Sequence, residues 1–167
     1  MVLGINKKSV PQQQHAIHAG EAFEIWQHLV MRYDTQELAT VFHNFVNDIE
    51  FKTLLAWGLG VLDKEVSTIE TEMNRLGVPL PKRPPKSINT PANSEIFRDE
   101  TMFRSIYMMV QLFLYQLQRT GIIMIEPRLR DMFIQMQNTE IDLYAKMVKY
   151  GKLKGWLHTP PTYKGGA

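Results

Sequence analysis

Residues 51–81 read FKTLLAWGLGVLDKEVSTIETEMNRLGVPLP, the stretch of this chain with the clearest helical pattern. Its apolar residues recur every three or four positions, which places them on one face of an α-helix. They are Phe51, Leu55, Leu59, Leu62, Val66, Ile69, Met73 and Leu76. Gly77 follows where helices commonly end in a left-handed residue, and Pro79 and Pro81 cannot continue the helix. The stretch therefore predicts an amphipathic helix that begins near Asp48 and ends before the glycine.

Prolines divide the rest of the chain into stretches that can be helical, because proline removes a backbone donor and breaks a helix interior. The uninterrupted stretches are 12–78, 92–126 and 128–159. No turn residues at the short spacing of β-strands interrupt them. The chain is therefore predicted to be all-α.

The second and third of these stretches each predict one helix. In 92–126, Asn93 or Ser94 is the expected N-cap, with Glu95 in the first turn. The last stretch begins after Pro127, which suits the first position of a helix. The apolar stripe of stretch 92–126 comprises Phe103, Ile106, Val110, Phe113 and Leu117. The apolar stripe of the last stretch comprises Leu129, Phe133, Met136, Leu143, Met147 and Tyr150.

The first proline-free stretch is too long for one helix of a small domain, because it would extend about 100 Å. Two pairs of residues resemble helix starts, Asp34 with Glu37 and Asn47 with Glu50. A break near Asn47 gives two helices of similar length, whereas a break near Asp34 gives a short one and a very long one. Helices of similar length pack into a bundle, so we predict the break at Asn47 and the residue after it.

The connections between the four predicted helices differ in length. The turns after the first and third helices are short, and a proline-rich crossover over 77–93 joins the second to the third. This connectivity predicts a ferritin-like four-helix bundle with one long crossover between helices 2 and 3. We expect a flexible N-terminal segment 1–16, a single bundle domain 17–153, and an extended C-terminal tail 154–167 that packs over the end of the bundle.

Composition narrows the classes of function. The chain has 167 residues, 44% hydrophobic and 22% charged, as expected for a folded soluble domain. A net charge of +2 is too small for a dedicated nucleic-acid binder, and the absence of cysteine excludes disulfides and thiolate chemistry. Residues 1–8 lack the apolar core of a signal peptide, so we expect cytosolic synthesis. The most apolar stretch, 105–125, carries too many polar side chains for a membrane span.

Ferritin-like bundles invite a test for metal ligands, since many hold two metal ions between Glu and Glu-x-x-His side chains. No glutamate in this chain is followed by histidine three residues later, and no cofactor is expected. Glu24 and His28, four residues apart, are expected to pair on the surface. The histidines are all expected at the surface or at helix ends: His15, His18, His28, His43 and His158.

Glu140 is the carboxylate in an unexpected place, because it lies within the apolar stripe of the fourth helix. There it must find donors or become neutral. One interpretation is a structural hydrogen bond from Tyr33 or Gln111. A second is a minimal cation site formed with Glu65, and a third is that Glu140 faces solvent. On the first interpretation, Glu140→Leu is expected to be near neutral or stabilising.

The face of the third helix opposite its apolar stripe is not mostly charged. It carries Met108, Leu112 and Tyr115, with Arg104 and Arg119 at the edge. Apolar residues combined with Tyr, Met and Arg are typical of an interface. This face predicts a homodimer in which the two third helices meet across a two-fold axis. The alternative is that the crossover or the tail covers it.

Short motifs occur along most of the chain. They are AGEA at 19–22 with Trp26, D-x-E-x-K at 48–52, LGVPxP at 76–81, EIDLY at 140–144 and KGWLxxPP at 154–161. In order and spacing they resemble the spore coat protein F-like family of endospore-forming bacteria. That resemblance implies a ferritin-like fold, often in two tandem copies, association with the spore or its coat, and no established catalytic activity. A single copy makes self-association a natural substitute for the tandem.

We therefore expect a non-enzymatic helical-bundle protein that acts by protein–protein contact. Its expected partners are a second copy of itself and other spore-coat proteins, with no nucleic acid and no membrane span. The alternative is a ferritin-like metal-binding protein that uses Glu140 and the neighbouring carboxylate Glu65.

Overall fold

A computed structural model describes residues 17–84 and 97–158. They form four α-helices, α1 (Ala19–Phe45), α2 (Ile49–Leu76), α3 (Asp99–Ile123) and α4 (Pro127–Lys154). Within these ranges there is no β-strand, and no helix is long and apolar enough to cross a bilayer. The predicted all-α four-helix class is confirmed. The expected segment 1–16, the later part of the crossover and the end of the tail lie outside the described residues.

The connection between α1 and α2 is the short turn predicted at Asn47. Asp48 caps α2 by accepting a hydrogen bond from the backbone N–H of the third residue of that helix, at 2.9 Å. The same carboxylate accepts hydrogen bonds from the Tyr150 hydroxyl and from Lys154 Nζ, each at 2.8 Å. These contacts join the turn to the end of α4. The break at Asn47 is confirmed, and Asp34 lies inside α1.

Two further helix ends agree with the sequence. Gly77 ends α2 in the left-handed region with φ of 70°, which an L-residue with a Cβ rarely adopts. Pro127 begins α4, where its missing N–H would have no intrahelical acceptor.

The start of α3 differs from the prediction. Its first residue is Asp99 and its N-cap is Arg98, which makes no side-chain capping hydrogen bond. The Asp99 carboxylate instead accepts hydrogen bonds from two backbone N–H groups of the α1–α2 turn, at 2.9 and 2.8 Å. This tie fixes the start of α3 against that turn. The prediction of Asn93 or Ser94 as N-cap is therefore wrong, and both lie outside the described residues.

The apolar core is divided into two halves along the bundle. One comprises Ile25, Leu29, Tyr33, Val66, Ile69, Met73, Leu117, Met124, Leu129, Met132, Phe133 and Met136. The other comprises Phe42, Val46, Phe51, Leu55, Met102, Phe103, Val110 and Met147, with Trp156 and Leu157 from beyond α4 packed against it.

A middle layer separates the two halves. Each helix contributes one residue at the boundary, namely Arg32 from α1, Glu65 from α2, Phe113 from α3 and Glu140 from α4. Three of these four side chains are charged, and all four are buried. Charged groups in such a position need partners, because burying an isolated charge is costly. The middle layer is therefore the candidate functional site.

Candidate functional site

The guanidinium of Arg32 is the centre of the middle layer. Arg32 is 1% exposed, and its three nitrogens contact groups from three helices. Its Nη1 and Nη2 donate hydrogen bonds to Glu140 Oε2 at 3.1 and 3.2 Å. Its Nε donates to His28 Nε2 at 3.3 Å. We call His28, Arg32, Glu65 and Glu140 the buried charge cluster.

Glu65 lies close to Arg32 but is less well bonded than Glu140. Its Oε2 is 3.0 Å from Nη2 of Arg32, within the distance of an ion pair. Neither carboxylate oxygen of Glu65 accepts a hydrogen bond with acceptable geometry among the described residues. The contact is therefore electrostatic, since no N–H points directly at the oxygen. Glu65 retains acceptor capacity that the cluster does not use.

His28 is fully buried within the cluster. Its ring packs edge-on against Phe113 and Phe133, with centroids 5.8 and 5.1 Å away. Burial, and then the charge of Arg32, hold the pKa of His28 well below its usual value, so the ring is neutral. The expectation of a surface position for His28 is wrong, because this imidazole serves as a buried acceptor for Arg32.

The cluster contains two carboxylates for one guanidinium. Burial raises the pKa of Glu65 to about 7. The charge of Arg32 opposes this shift, and the charge of Glu140 adds to it. Burial likewise raises the pKa of Glu140, against the opposing effect of Arg32. Two neighbouring carboxyl groups beside one cation tend to share a proton, because one guanidinium can balance only one of the two negative charges. We therefore expect the pair to take up a proton near neutral pH.

The structure confirms one interpretation of Glu140 in part. The side chain is buried and hydrogen-bonded, as the stripe of α4 indicates. Its donor is Arg32, whereas Tyr33 donates to Glu70 at 2.5 Å. The prediction of Tyr33 or Gln111 as donor is therefore wrong. Glu65 and Glu140 are brought to the same layer, as the cation-site interpretation requires.

Arg32 is not among the predicted site residues, yet its spacing on α1 indicates that it is buried. Ile25 and Leu29 are fully buried on α1, and Arg32 follows them at the next position of the same face. A charged residue on that face is an unusual feature that needs a buried partner. The apolar periodicity of α1 alone does not reveal it, because Glu24 and His28 on the same helix are buried as well.

Glu24 is also buried, and it does not pair with His28 on the surface. It forms an ion pair with Arg119 and accepts hydrogen bonds from Gln116 Nε2 at 3.1 Å and Thr120 Oγ1 at 3.3 Å. The expected surface pairing is therefore wrong. Glu24 joins α1 to α3, and its contacts hold Arg119 at the edge of the outer face of α3.

A small cavity adjoins the charge cluster. Its volume is about 40 Å³, which exceeds the space that one water needs. Arg32, Thr35 and Glu140 provide its polar wall, and the remaining lining is mostly apolar. The cavity lies on the side of the cluster that faces the second half of the core, since Phe51 and Met147 also line it.

The residues of the cluster do not fit the metal pair that this fold holds in other proteins. Such a centre needs carboxylates and histidines grouped around the ions. Among residues 17–84 and 97–158 there is no group of three or more His, Asp or Glu that could hold a metal ion. Arg32 lies between the two carboxylates, where a metal ion would have to bind.

The predicted interface residues lie on the surface of α3. Met108, Leu112 and Tyr115 are 56%, 53% and 75% exposed. Ile122, two turns beyond Tyr115, is 78% exposed and extends this face. Arg119 is largely exposed but bound to Glu24. We call Met108, Leu112, Tyr115 and Ile122 the outer strip.

Comparison with known structures places the fold. The structure resembles a "putative spore coat protein" from Bacillus halodurans C-125, with a TM-score of 0.77 and 25% identity over 90% of this chain and 97% of that one. It also resembles a two-domain protein with DJ-1/ThiJ/PfpI-like and ferritin-like domains from Anabaena variabilis ATCC 29413. That match has a TM-score of 0.66 and 18% identity, over 88% of this chain and 40% of that one, and shows the fold alone.

Comparison of sequences defines the family. No curated protein matches the chain. The narrower resemblance to the spore coat protein F-like family stays a prediction. A family model described as "Protein of unknown function (DUF3231)" matches residues 6–165. Because this match covers nearly the whole sequence, the chain belongs to the DUF3231 family.

Proposed function

We propose that this protein is a non-enzymatic, spore-associated helical bundle that acts by binding proteins, first of all a second copy of itself. The observation that carries the proposal is the outer strip, which presents four large apolar side chains on one helix. The likeness to the Bacillus halodurans protein supports the spore association, as does the resemblance to the spore coat protein F-like family.

The spacing of the outer strip supports a helix-to-helix contact. Residues 108, 112, 115 and 122 follow one another at intervals of four, three and seven, so they form one line along α3. A surface helix of an isolated bundle normally presents polar residues on that line. Large apolar side chains along such a line, here interrupted by Arg119 between Tyr115 and Ile122, are instead typical of a face that is buried against a partner.

The described parts of the crossover and tail lie away from the outer strip. Pro81 to Pro84 lie over α1, where they enclose a groove with Tyr33 and neighbouring residues. Arg83 of this segment approaches Glu70 of α2 at 3.6 Å. After α4, Trp156 and Leu157 pack at the end of the bundle. Within the described residues neither segment covers the outer strip, whose side chains stay exposed, and this favours a second copy as the occupant.

A two-fold contact suits the outer strip because the same face then serves both subunits. The Arg119 side chain is held beside the strip by Glu24, so it contributes a polar edge without an unpaired charge. An apolar centre with a polar edge is the usual composition of a protein interface.

Light scattering after size exclusion tests the proposal. The wild type should elute as a dimer, and Leu112→Glu should be a folded monomer. Ile141→Glu is the matched control, because Ile141 is 47% exposed on α4 and lies off the strip. A monomeric wild type, or a Leu112→Glu protein that stays dimeric, would contradict the dimer.

The spore association has a separate test. Immunoblots of coat extracts and of vegetative cells from the organism that encodes the chain should show the protein in the spore fraction. Detection in vegetative cells alone would contradict this part of the proposal. The alternative of a metal-binding function through Glu140 and Glu65 has no supporting observation, since Arg32 takes the position between them.

A further inference from the structure

The buried charge cluster lies where ferritin-like bundles bind metal ions, at mid-length between carboxylates of facing helices. Here the carboxylates of α2 and α4 approach one guanidinium, which has no place in a metal centre. We infer that Arg32 is a tethered cation that fills a cation site formed by α1, α2 and α4, and that it closes this site to free metal ions. The inference does not depend on the proposed dimer or spore association.

The contacts around the guanidinium of Arg32 all point toward it. Three groups converge on one cation, namely Glu65 Oε2 at 3.0 Å, Glu140 Oε2 at 3.1 Å and His28 Nε2 at 3.3 Å. Carboxylate and imidazole are ligands that also suit divalent transition metals. The imidazole accepts through a lone pair, and the same neutral form would be required for binding to a metal. The groups around Arg32 are thus of the kind that attract a cation, although no group of three or more His, Asp or Glu among the described residues is arranged to hold a metal ion.

The groups around Arg32 provide more hydrogen-bond acceptors than the guanidinium uses. Neither oxygen of Glu65 accepts a hydrogen bond among the described residues. Two carboxylates and one guanidinium leave an excess negative charge in the layer when both acids are ionised. A purely structural salt bridge would need only one of the two acids, because one carboxylate already balances one guanidinium.

The guanidinium of Arg32 is enclosed on the side of α3 as well. The ring of Phe113 lies 4.0 Å from Arg32 Cζ and closes the side that α3 provides. An aromatic face attracts a cation, so this wall also favours positive charge. The cavity of about 40 Å³ adjoins Arg32 and Glu140, and removal of the arginine side chain would enlarge it. A small cation would then have room to replace the missing group.

Chemical rescue tests this inference. In Arg32→Ala, millimolar guanidinium ion should raise the melting temperature by several degrees, in a saturable manner, above the effect of equal sodium chloride. Glu140→Gln in the same background should abolish the rise. Wild type and Arg130→Ala, which removes a half-exposed arginine of α4, should show no rise. A folded Arg32→Ala protein that gains nothing from guanidinium would overturn the inference.

Two further measurements make the test independent of whether Arg32→Ala folds. Arg32→Lys keeps a cation and should melt higher than Arg32→Met, which has a similar length without charge. Equal melting temperatures, or equal loss of folding in both, would overturn the inference. In calorimetry with zinc ion alone, the wild type should show no zinc binding that depends on Glu140. Its titration should therefore match that of Glu140→Gln. Stoichiometric zinc binding that this substitution abolishes would show that Arg32 does not close the site.

Discussion

Replacing Glu140 with leucine would measure how strongly the bundle depends on the buried charge cluster. The substitution removes the acceptor of two hydrogen bonds from Arg32, at 3.1 and 3.2 Å. Removing one partner of a buried ion pair costs about 3–5 kcal/mol, because the other charge stays buried. Glu65 remains 3.0 Å from Arg32 and still balances its charge, so we place the cost at about 3 kcal/mol. The sequence-based expectation of a near-neutral effect is reversed, because it assumed an uncharged donor.

Glu65→Leu is the matched control for this substitution. It removes the same kind of side chain from the same layer, but the carboxylate it removes accepts no hydrogen bond among the described residues. Its loss leaves Arg32 bonded to Glu140, so we expect a change below about 1 kcal/mol. Urea unfolding followed by circular dichroism gives both values, provided that the m-value stays constant. Equal midpoints for the two variants would refute the unequal roles assigned here.

A triple variant completes the experiment. Arg32→Met, Glu65→Leu and Glu140→Leu together replace the charged layer by apolar side chains of similar size. Such replacements of buried ion pairs are often neutral or stabilising. We expect the triple variant to recover most of the stability lost in Glu140→Leu. A triple variant less stable than Glu140→Leu would show that the cost comes from packing rather than from an unpaired charge.

Three further predictions concern pH, a glycine and a helix cap. In Glu65→Gln the urea midpoints at pH 5 and pH 8 should lie closer together than in the wild type. The pKa of Glu65 is raised from 4.5 to about 7 in the folded state, so between these pH values the folded state holds a proton that the unfolded chain has released. The stability of the wild type therefore falls as the pH rises from 4.5 to about 7. Gly151→Ala should lower the melting temperature and cost about 1–3 kcal/mol, because the new Cβ would lie 2.6 Å from an aromatic ring atom. Gly60→Ala should raise the melting temperature, because its Cβ would have no atom within 4 Å and alanine favours the helix. Asp48→Ala should cost about 1–2 kcal/mol in urea unfolding through loss of the α2 N-cap, while Asp34→Ala on the exposed side of α1 should change little.

The helices that depend on local features were predictable from the sequence. α2 carries a continuous apolar stripe, an N-cap aspartate and a C-terminal glycine, and each of these acts within a few residues. The break at Asn47 and the start of α4 at Pro127 rest on similarly local features. The start of α3 could not be predicted from local sequence features, because Asp99 is held by hydrogen bonds to a turn about fifty residues earlier in the chain.

The charge cluster could be predicted only in part. Glu140 interrupts an apolar stripe, so its burial is apparent from α4 alone. On α1 the buried face includes Glu24, His28 and Arg32, and these polar side chains obscure the periodicity. The contact between Arg32 and Glu140 joins residues that are 108 positions apart. No local pattern specifies such a pairing, because it depends on how α1 and α4 pack.

The middle layer also sets the axial register of the helices. In a core of leucines and methionines alone, one helix can slip by a turn of about 5.4 Å and exchange one apolar contact for another. A slip of α4 in this bundle would carry Glu140 away from Arg32 and leave its carboxylate unpaired in an apolar environment, while Arg32 would keep only Glu65, at a cost of several kcal/mol. The layer that adds least hydrophobic burial thus excludes misaligned versions of the same four-helix arrangement.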